Sequence, residues 1–162
     1  MGDGTPDDDG RNRRVGPRAA RRPRVTAIDT NVIVDLLEAP PEARERALHA
    51  LEISARRGPL VLAPIVYVEL GARPHGRPAE CDDLLRDLRI RVDWALSEGT
   101  WRLAADRFRE HAARRRRSGS ESPRRLIADF VIGAHAAGVG ALLTRDAAFF
   151  RRAFPGLNVQ EP

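Results

Sequence analysis

From Val25 to Val159 the chain alternates short apolar runs with segments of helical spacing, and an acid interrupts four of those apolar runs. Asp29 closes Val25-Thr26-Ala27-Ile28, and Glu69 sits within Ile65-Val66-Tyr67-Val68-Glu69-Leu70. Asp129 lies inside Leu126-Ile127-Ala128-Asp129-Phe130-Val131-Ile132, and Asp146 follows Ala141-Leu142-Leu143-Thr144-Arg145. A carboxylate taken out of water among apolar neighbours stays protonated unless something stabilises its charge. Four that converge would also repel one another. A divalent cation answers both problems, because it satisfies the oxygens and cancels the repulsion.

The alternation sets the fold class. A strand is expected at 25–29, running into a helix through Val32, Ile33, Leu36 and Leu37 that Pro40-Pro41 breaks. Helical spacing resumes from Glu42 to Arg57, and Gly58-Pro59 stops it before a strand at 60–62. Pro64 suits the first position of a helix carrying Glu69 in its second turn. A shorter helix over about 79–88 and an alternating strand at 90–95 follow. Ser97 reads as the N-cap of a long helix through Trp101, Ala104, Ala105, Phe108 and Ala112, ended by Ser118-Gly119-Ser120. Ser122-Pro123 reads as the start of the helix that carries Asp129. A strand at 140–144, a helix at about 147–153 and a last strand at 157–159 complete the pattern. Strands joined by helical crossovers imply an α/β fold, with a mainly parallel central sheet and helices on both faces.

Composition bounds the rest. At 162 residues the chain suits one domain, and residues 1–24, with seven Arg and four Asp and little to bury, read as a disordered tail before a domain at 25–160. Val15 and Val25 are also candidate internal starts. The net charge of +5 divides into +3 for that tail and +2 for the remainder, so the domain is only mildly basic. Cys81 is the single cysteine, which excludes an intramolecular disulfide and fits a reducing, cytoplasmic compartment. No apolar run approaches the roughly 20 residues of a membrane helix. The chain contains no lysine. That excludes a P-loop, a pyridoxal Schiff base and the lysine-dependent receiver site.

In parallel sheets, sites form where the strands end. Asp29 and Asp146 fall just past strand ends, and Glu69 and Asp129 fall early on helices starting near the same edge. Oxygen ligands select Mg²⁺ or Mn²⁺, and a bound ion of this kind activates water for attack on phosphorus. His49, His75, His111 and His135 are too scattered for a zinc site. Singly, each acid has a structural explanation: Asp29 as an N-cap, Glu69 on an exposed helix face, Asp129 at a helix N-terminus, Asp146 in a turn. Together those explanations require four coincidences. Asp35 and His135 each lie six residues beyond an acid, about 240° round a helix; Asp35 reads as structural or surface, and His135 as a partly buried polar histidine. Arg114, Arg115, Arg116 and Arg117 end a helix, where cations suit the dipole, and are also candidate contacts to RNA phosphates. Trp94 and Trp101 read as core or dimer-interface residues.

The stretches Ala27-Ile28-Asp29-Thr30-Asn31-Val32-Ile33-Val34-Asp35-Leu36-Leu37, Val68-Glu69-Leu70, Ala128-Asp129-Phe130-Val131-Ile132-Gly133-Ala134-His135-Ala136 and Leu143-Thr144-Arg145-Asp146-Ala147-Ala148-Phe149-Phe150 occur in this order. In them the chain resembles the PIN-domain family, in particular the VapC-type toxins of bacterial toxin–antitoxin pairs. The resemblance implies a PIN-like three-layer fold and a Mg²⁺- or Mn²⁺-dependent endoribonuclease whose metal-binding and catalytic acids are Asp29, Glu69, Asp129 and Asp146. Asn31 and Thr144 would be polar neighbours that orient a ligand or water. A VapB-type antitoxin and a homodimer are implied as partners.

Two rival readings follow from the same residues. One is a PIN-fold protein that binds RNA or a partner with little cleavage, against which four intact acids argue. The other is a small Mg²⁺-dependent phosphatase, which would want an acid where Asn31 stands and a lysine the chain lacks.

Overall fold

The computed structural model describes residues 24–73, 77–118 and 127–162. Their elements are β1 (Val25–Ile28), α1 (Thr30–Glu38), α2 (Pro41–Arg57), β2 (Leu60–Leu62), α3 (Pro64–Gly71), α4 (Pro78–Asp87), β3 (Ile90–Val92), α5 (Glu98–Ser118), α6 (Ile127–Val139), β4 (Gly140–Leu143), α7 (Ala147–Ala153) and β5 (Asn158–Gln160). The strands form one sheet in the order β3-β2-β1-β4-β5, and every neighbouring pair is parallel. Chain order therefore runs outward from β1 to β3 on one side and from β4 to β5 on the other. The reversal falls between β1 and β4, and it opens a crevice beyond their carboxyl ends.

Right-handed crossovers between parallel strands place the helices leading out to β3 on one face and those leading to β4 and β5 on the other. α2 packs on β1, while α6 lies across β1 and β4 with α5 outside it. The core is aliphatic between α2 and the sheet and aromatic beneath α6 and α7, where Phe130, Phe149 and Phe150 are fully buried. Gly133 of α6 makes that packing possible, since a Cβ there would meet the Phe154 ring at 2.1 Å.

Local chemistry accounts for the boundaries. Pro41, Pro64 and Pro78 begin their helices, where a missing N–H costs nothing. The Thr100 amide donates to Ser97 Oγ at 3.2 Å, so Ser97 caps α5 as its sequence position suggests. The strand expected over 90–95 stops at Val92, because β2 offers only three residues to pair with. Beyond it Asp93 turns to His135 and Trp94 packs edge-on against Tyr67. The last strand begins one residue later than expected, because the Leu157 amide is used to close the turn after α7 on the Phe154 carbonyl. The expected helix start at Ser122-Pro123 lies outside the described residues. Trp94 and Trp101 are 64% and 52% exposed, which removes the core reading for both. Among the described residues no helix is long and apolar enough to cross a membrane.

Candidate active site

Asp29 is the best-anchored side chain of the crevice. It follows the last residue of β1, its amide donates to the Leu143 carbonyl at 3.0 Å, and it stands at the N-cap position of α1. Its side chain does not serve as the helix cap. Instead Asn31 Nδ2 and Thr144 Oγ1 both donate to Oδ2, at 2.7 and 2.6 Å. Thr144 is wholly buried, and its hydroxyl also accepts from the Asp146 amide at 3.0 Å and from Asn31 Nδ2 at 3.2 Å. Asn31 Oδ1 in turn accepts from the Arg145 amide at 3.1 Å. This network ties the end of β1, the first turn of α1 and the β4–α7 connection into one rigid corner. Asn31 and Thr144, which the resemblance implied as polar neighbours, both bond the Asp29 carboxylate.

Asp29 is 5% exposed, and burial is the main cause that lifts its carboxyl from 3.8 to about 6. The Thr144 hydrogen bond works against that rise, whereas the charges of Asp129 and Glu69 add to it. Those two repulsions show that acids from α3 and α6 reach the same space. All four acids, Asp29, Glu69, Asp129 and Asp146, line one cleft of about 420 Å³ at the carboxyl edge of the sheet. Asp29 is buried and the other three are half-buried. Asp146 occupies the N-cap position of α7 without capping it through its side chain.

Three further polar residues shape the cleft and escaped the sequence reading. Thr30 donates its hydroxyl to Glu69 Oε2, which joins α1 to α3 across the opening. Arg73 and Arg145 bring positive charge to the walls. Each is held from behind by an acid, Arg73 by Glu38 and Arg145 by the buried Asp35 at 3.0 Å. Asp35 is thus structural and not a surface residue, since it is buried and orients a cleft residue. The available signal for Arg145 was its place between Thr144 and Asp146. No sequence signal pointed to Arg73, since its position depends on how α3 ends.

The remaining candidates lie elsewhere. His135 is buried and its Nε2 faces Asp93 Oδ2 at 3.2 Å, away from the acids, and desolvation lowers its pKa. Arg114–Arg117 occupy the last turns of α5 and do not line the cleft. Phe108 and His111 of α5 pack at tilted angles against Phe130, the residue after Asp129.

Among the described residues, no group of three His, Cys, Asp or Glu side chains is close enough to hold a metal ion directly. The donor set nevertheless fits one kind of ion. It is all oxygen, it is mutually repelling around a buried Asp29, and its cleft leaves room for water, which suits Mg²⁺ or Mn²⁺ retaining part of its hydration shell.

Residues 26–155 match the family model of the PIN domain. The chain belongs to the PIN-domain family. Among solved structures it is similar to VapBC-1 from nontypeable Haemophilus influenzae, with 20% identity over 85% of this chain and 97% of that one and a TM-score of 0.56. It is similar to VapBC2 from Rickettsia felis bound to a DNA fragment from its promoter, with 16% identity over 85% and 98% and a TM-score of 0.55. It is similar also to FitAB bound to the IR36 DNA fragment, with 21% identity over 85% and 94% and a TM-score of 0.54. At these identities the likeness is one of fold. No protein of curated function matches the chain.

Proposed function

We propose that this protein is a metal-dependent endoribonuclease, the toxin of a VapBC-type pair. The observation that carries the reading is the environment of Asp29. A carboxylate is buried, fixed by two donors and crowded by two other acids at the mouth of a cleft, an arrangement whose burial and repulsion cost stability. Asp29, Glu69, Asp129 and Asp146 would hold Mg²⁺ or Mn²⁺. When bound, the ion supplies acidity to a water and positive charge to the scissile phosphate.

The chain's own residues do the remainder. Asn31 and Thr144 keep the Asp29 oxygens turned into the cleft, so little reorganisation is needed as charge develops. The half-buried acids can accept the proton of an attacking water. Arg145 and Arg73 stand where a phosphodiester backbone would enter, and Arg114–Arg117 are candidates for contacts further along the RNA. The toxin assignment draws on the VapBC complexes that share the fold, and with it go a VapB-type antitoxin covering the cleft and a homodimer. Val68, Trp94 and Trp101 are among the exposed apolar side chains that could make such contacts.

The test is expression without a partner, together with cleavage of cellular RNA by the purified protein in Mn²⁺. Growth arrest and RNA cleavage are expected from the wild type, and both should fall by at least about 100-fold in Asp129→Asn, which alters one ligand oxygen at nearly constant volume. Arrest without cleavage, unchanged in Asp129→Asn, would favour the reading in which the protein acts by binding.

A further inference from the structure

We propose that the face of α2 beside the ends of β4 and β5 is a second binding site for the phosphates of single-stranded RNA, a short distance from the acid cleft. The inference rests on the ribonuclease reading and adds a path for the strand that leaves the cleft.

A cavity of about 410 Å³ opens on this face, and α2 lines it with Arg46, His49, Ile53 and Arg57. At 100° per residue these positions fall within about 80° of one another, so the helix presents them as a single stripe. Glu45 and Glu52 lie about 100° or more from Arg46 on the same helix, whereas Glu42 falls within the stripe one turn before Arg46, outside the cavity lining. The stripe therefore sets Arg46, Arg57 and His49 against one acid and keeps a positive balance. Arg46 and His49 have neither an ion pair nor a hydrogen bond among the described residues, and both are exposed. Arg57 is held lightly, its Nη1 reaching Gln160 Oε1 at 3.5 Å. The acid on the far wall, Glu161, is engaged by Arg151 at 2.8 Å. The cavity thus offers at least two guanidinium groups and an imidazole over an apolar floor of Ala50, Ile53 and Leu143. Arginine forks above an apolar floor suit a chain that carries a phosphate and a base in each repeat.

The sheet itself sets the distance between the stripe and the cleft. Leu143, in the cavity floor, accepts the Asp29 amide. Thr144, which fixes the Asp29 carboxylate, donates its amide to the Gln160 carbonyl, and Gln160 bonds Ser54 and Arg57 of α2. Gln160 lies two strands from Asp29 in the order β1-β4-β5, roughly 10 Å at the usual strand spacing. A strand whose scissile phosphate sits among the acids reaches the stripe within a few nucleotides. α2 and α5 cover opposite faces of the sheet, so the stripe is a separate contact from Arg114–Arg117. Between them they would hold the RNA on both sides of the cut.

The experiment measures binding of a labelled single-stranded RNA, long enough to cover cleft and stripe, to the full chain in EDTA over a salt series. In the double variant Arg46→Gln with Arg57→Gln, affinity at low salt should drop roughly tenfold, and the slope of log K against log salt should lose about 1.4, two phosphates at about 0.7 each. Arg46→Lys with Arg57→Lys keeps the charges and should keep the slope. Cleavage of a dinucleotide, which fits the acid cleft alone, should be the same in all three proteins. Equal slopes in the wild type and the Gln variant overturn the site, as does a Lys variant that fails like the Gln one. Loss of affinity for duplex DNA with the single strand unaffected also overturns it. A wild type that binds no RNA at low salt defeats the ribonuclease reading itself, whereas one that cleaves RNA without help from the stripe defeats only this inference.

Discussion

Asp29 carries a cost that falls on the folded state alone, because in the unfolded chain its carboxyl is solvated and titrates near 3.8, against about 6 in the fold. Below 3.8 both states are protonated and the residue is neutral toward stability. As pH rises from 3.8 to 6 the folded state retains the proton longer, so the contribution of this group to stability falls, by on the order of 3 kcal/mol over the window. Above 6 the full cost is present. Asn at this position can accept the same hydrogen bonds and does not titrate. In EDTA, urea midpoints of Asp29→Asn and wild type should therefore differ in the variant's favour at pH 7 and converge or reverse near pH 4. A difference that does not change with pH would show that burial does not penalise this carboxylate. Added Mn²⁺ should stabilise the wild type at pH 7 and leave the variant nearly unchanged, since an ion that binds only the folded state adds stability with its concentration. The sequence made Asp29, Glu69, Asp129 and Asp146 legible because an acid in an apolar run is conspicuous. Thr30, Arg73 and Asp35 were not legible in their roles, because their partners lie 39, 35 and 110 positions away and polar residues near helix surfaces look ordinary.

At the scale of elements, most of the fold follows from patterns that are local. Proline at helix starts, the Ser97 cap and the apolar strand runs each announce themselves within a few residues. What the patterns could not give is pairing length, and so β3 ends where β2 ends, short of the alternation that continues to residue 95. The exposed Trp94 and Trp101 show the same limit, since a large apolar residue reads as core until the packing partners are known. The α6–α7 contact is the most exacting of these element-level features. Gly133 is packed so closely by Phe154, itself 3% exposed, that a methyl group cannot enter without moving a buried ring. Gly133→Ala raises intrinsic helix propensity yet should destabilise by about 1–3 kcal/mol through overpacking, seen as a melting temperature lower by several degrees. Its Mn²⁺ affinity should stay near that of wild type, because the ring lies beneath the helix and the acids lie at its end. A more stable variant would mean that the ring swings aside freely.

For the whole molecule, the parallel order β3-β2-β1-β4-β5 explains why residues so far apart in sequence serve one cleft: the switch between β1 and β4 brings the ends of two strands, the end of α3 and the start of α6 to a single edge. The strand–helix alternation implied that class of sheet, but it does not determine strand order, which depends on which crossovers return past β1. The same architecture delimits the folding unit. The ladder opens with Val25 opposite Gly140, the Thr26 amide bonds the Pro59 carbonyl, and Gly58 packs on the Arg24 carbonyl, so the first residue with a part in these contacts is Arg24. The family match begins at residue 26. Residues 1–23 contain six arginines, four aspartates and few apolar side chains. A chain beginning at Arg24 should therefore unfold at the same urea concentration and with the same denaturant slope as the full chain, since neither the buried area nor the surface exposed on unfolding changes. A lower midpoint with a shallower slope would show that the tail packs on the domain, and its arginines, opposite an acid-lined cleft, would then be the first side chains to examine.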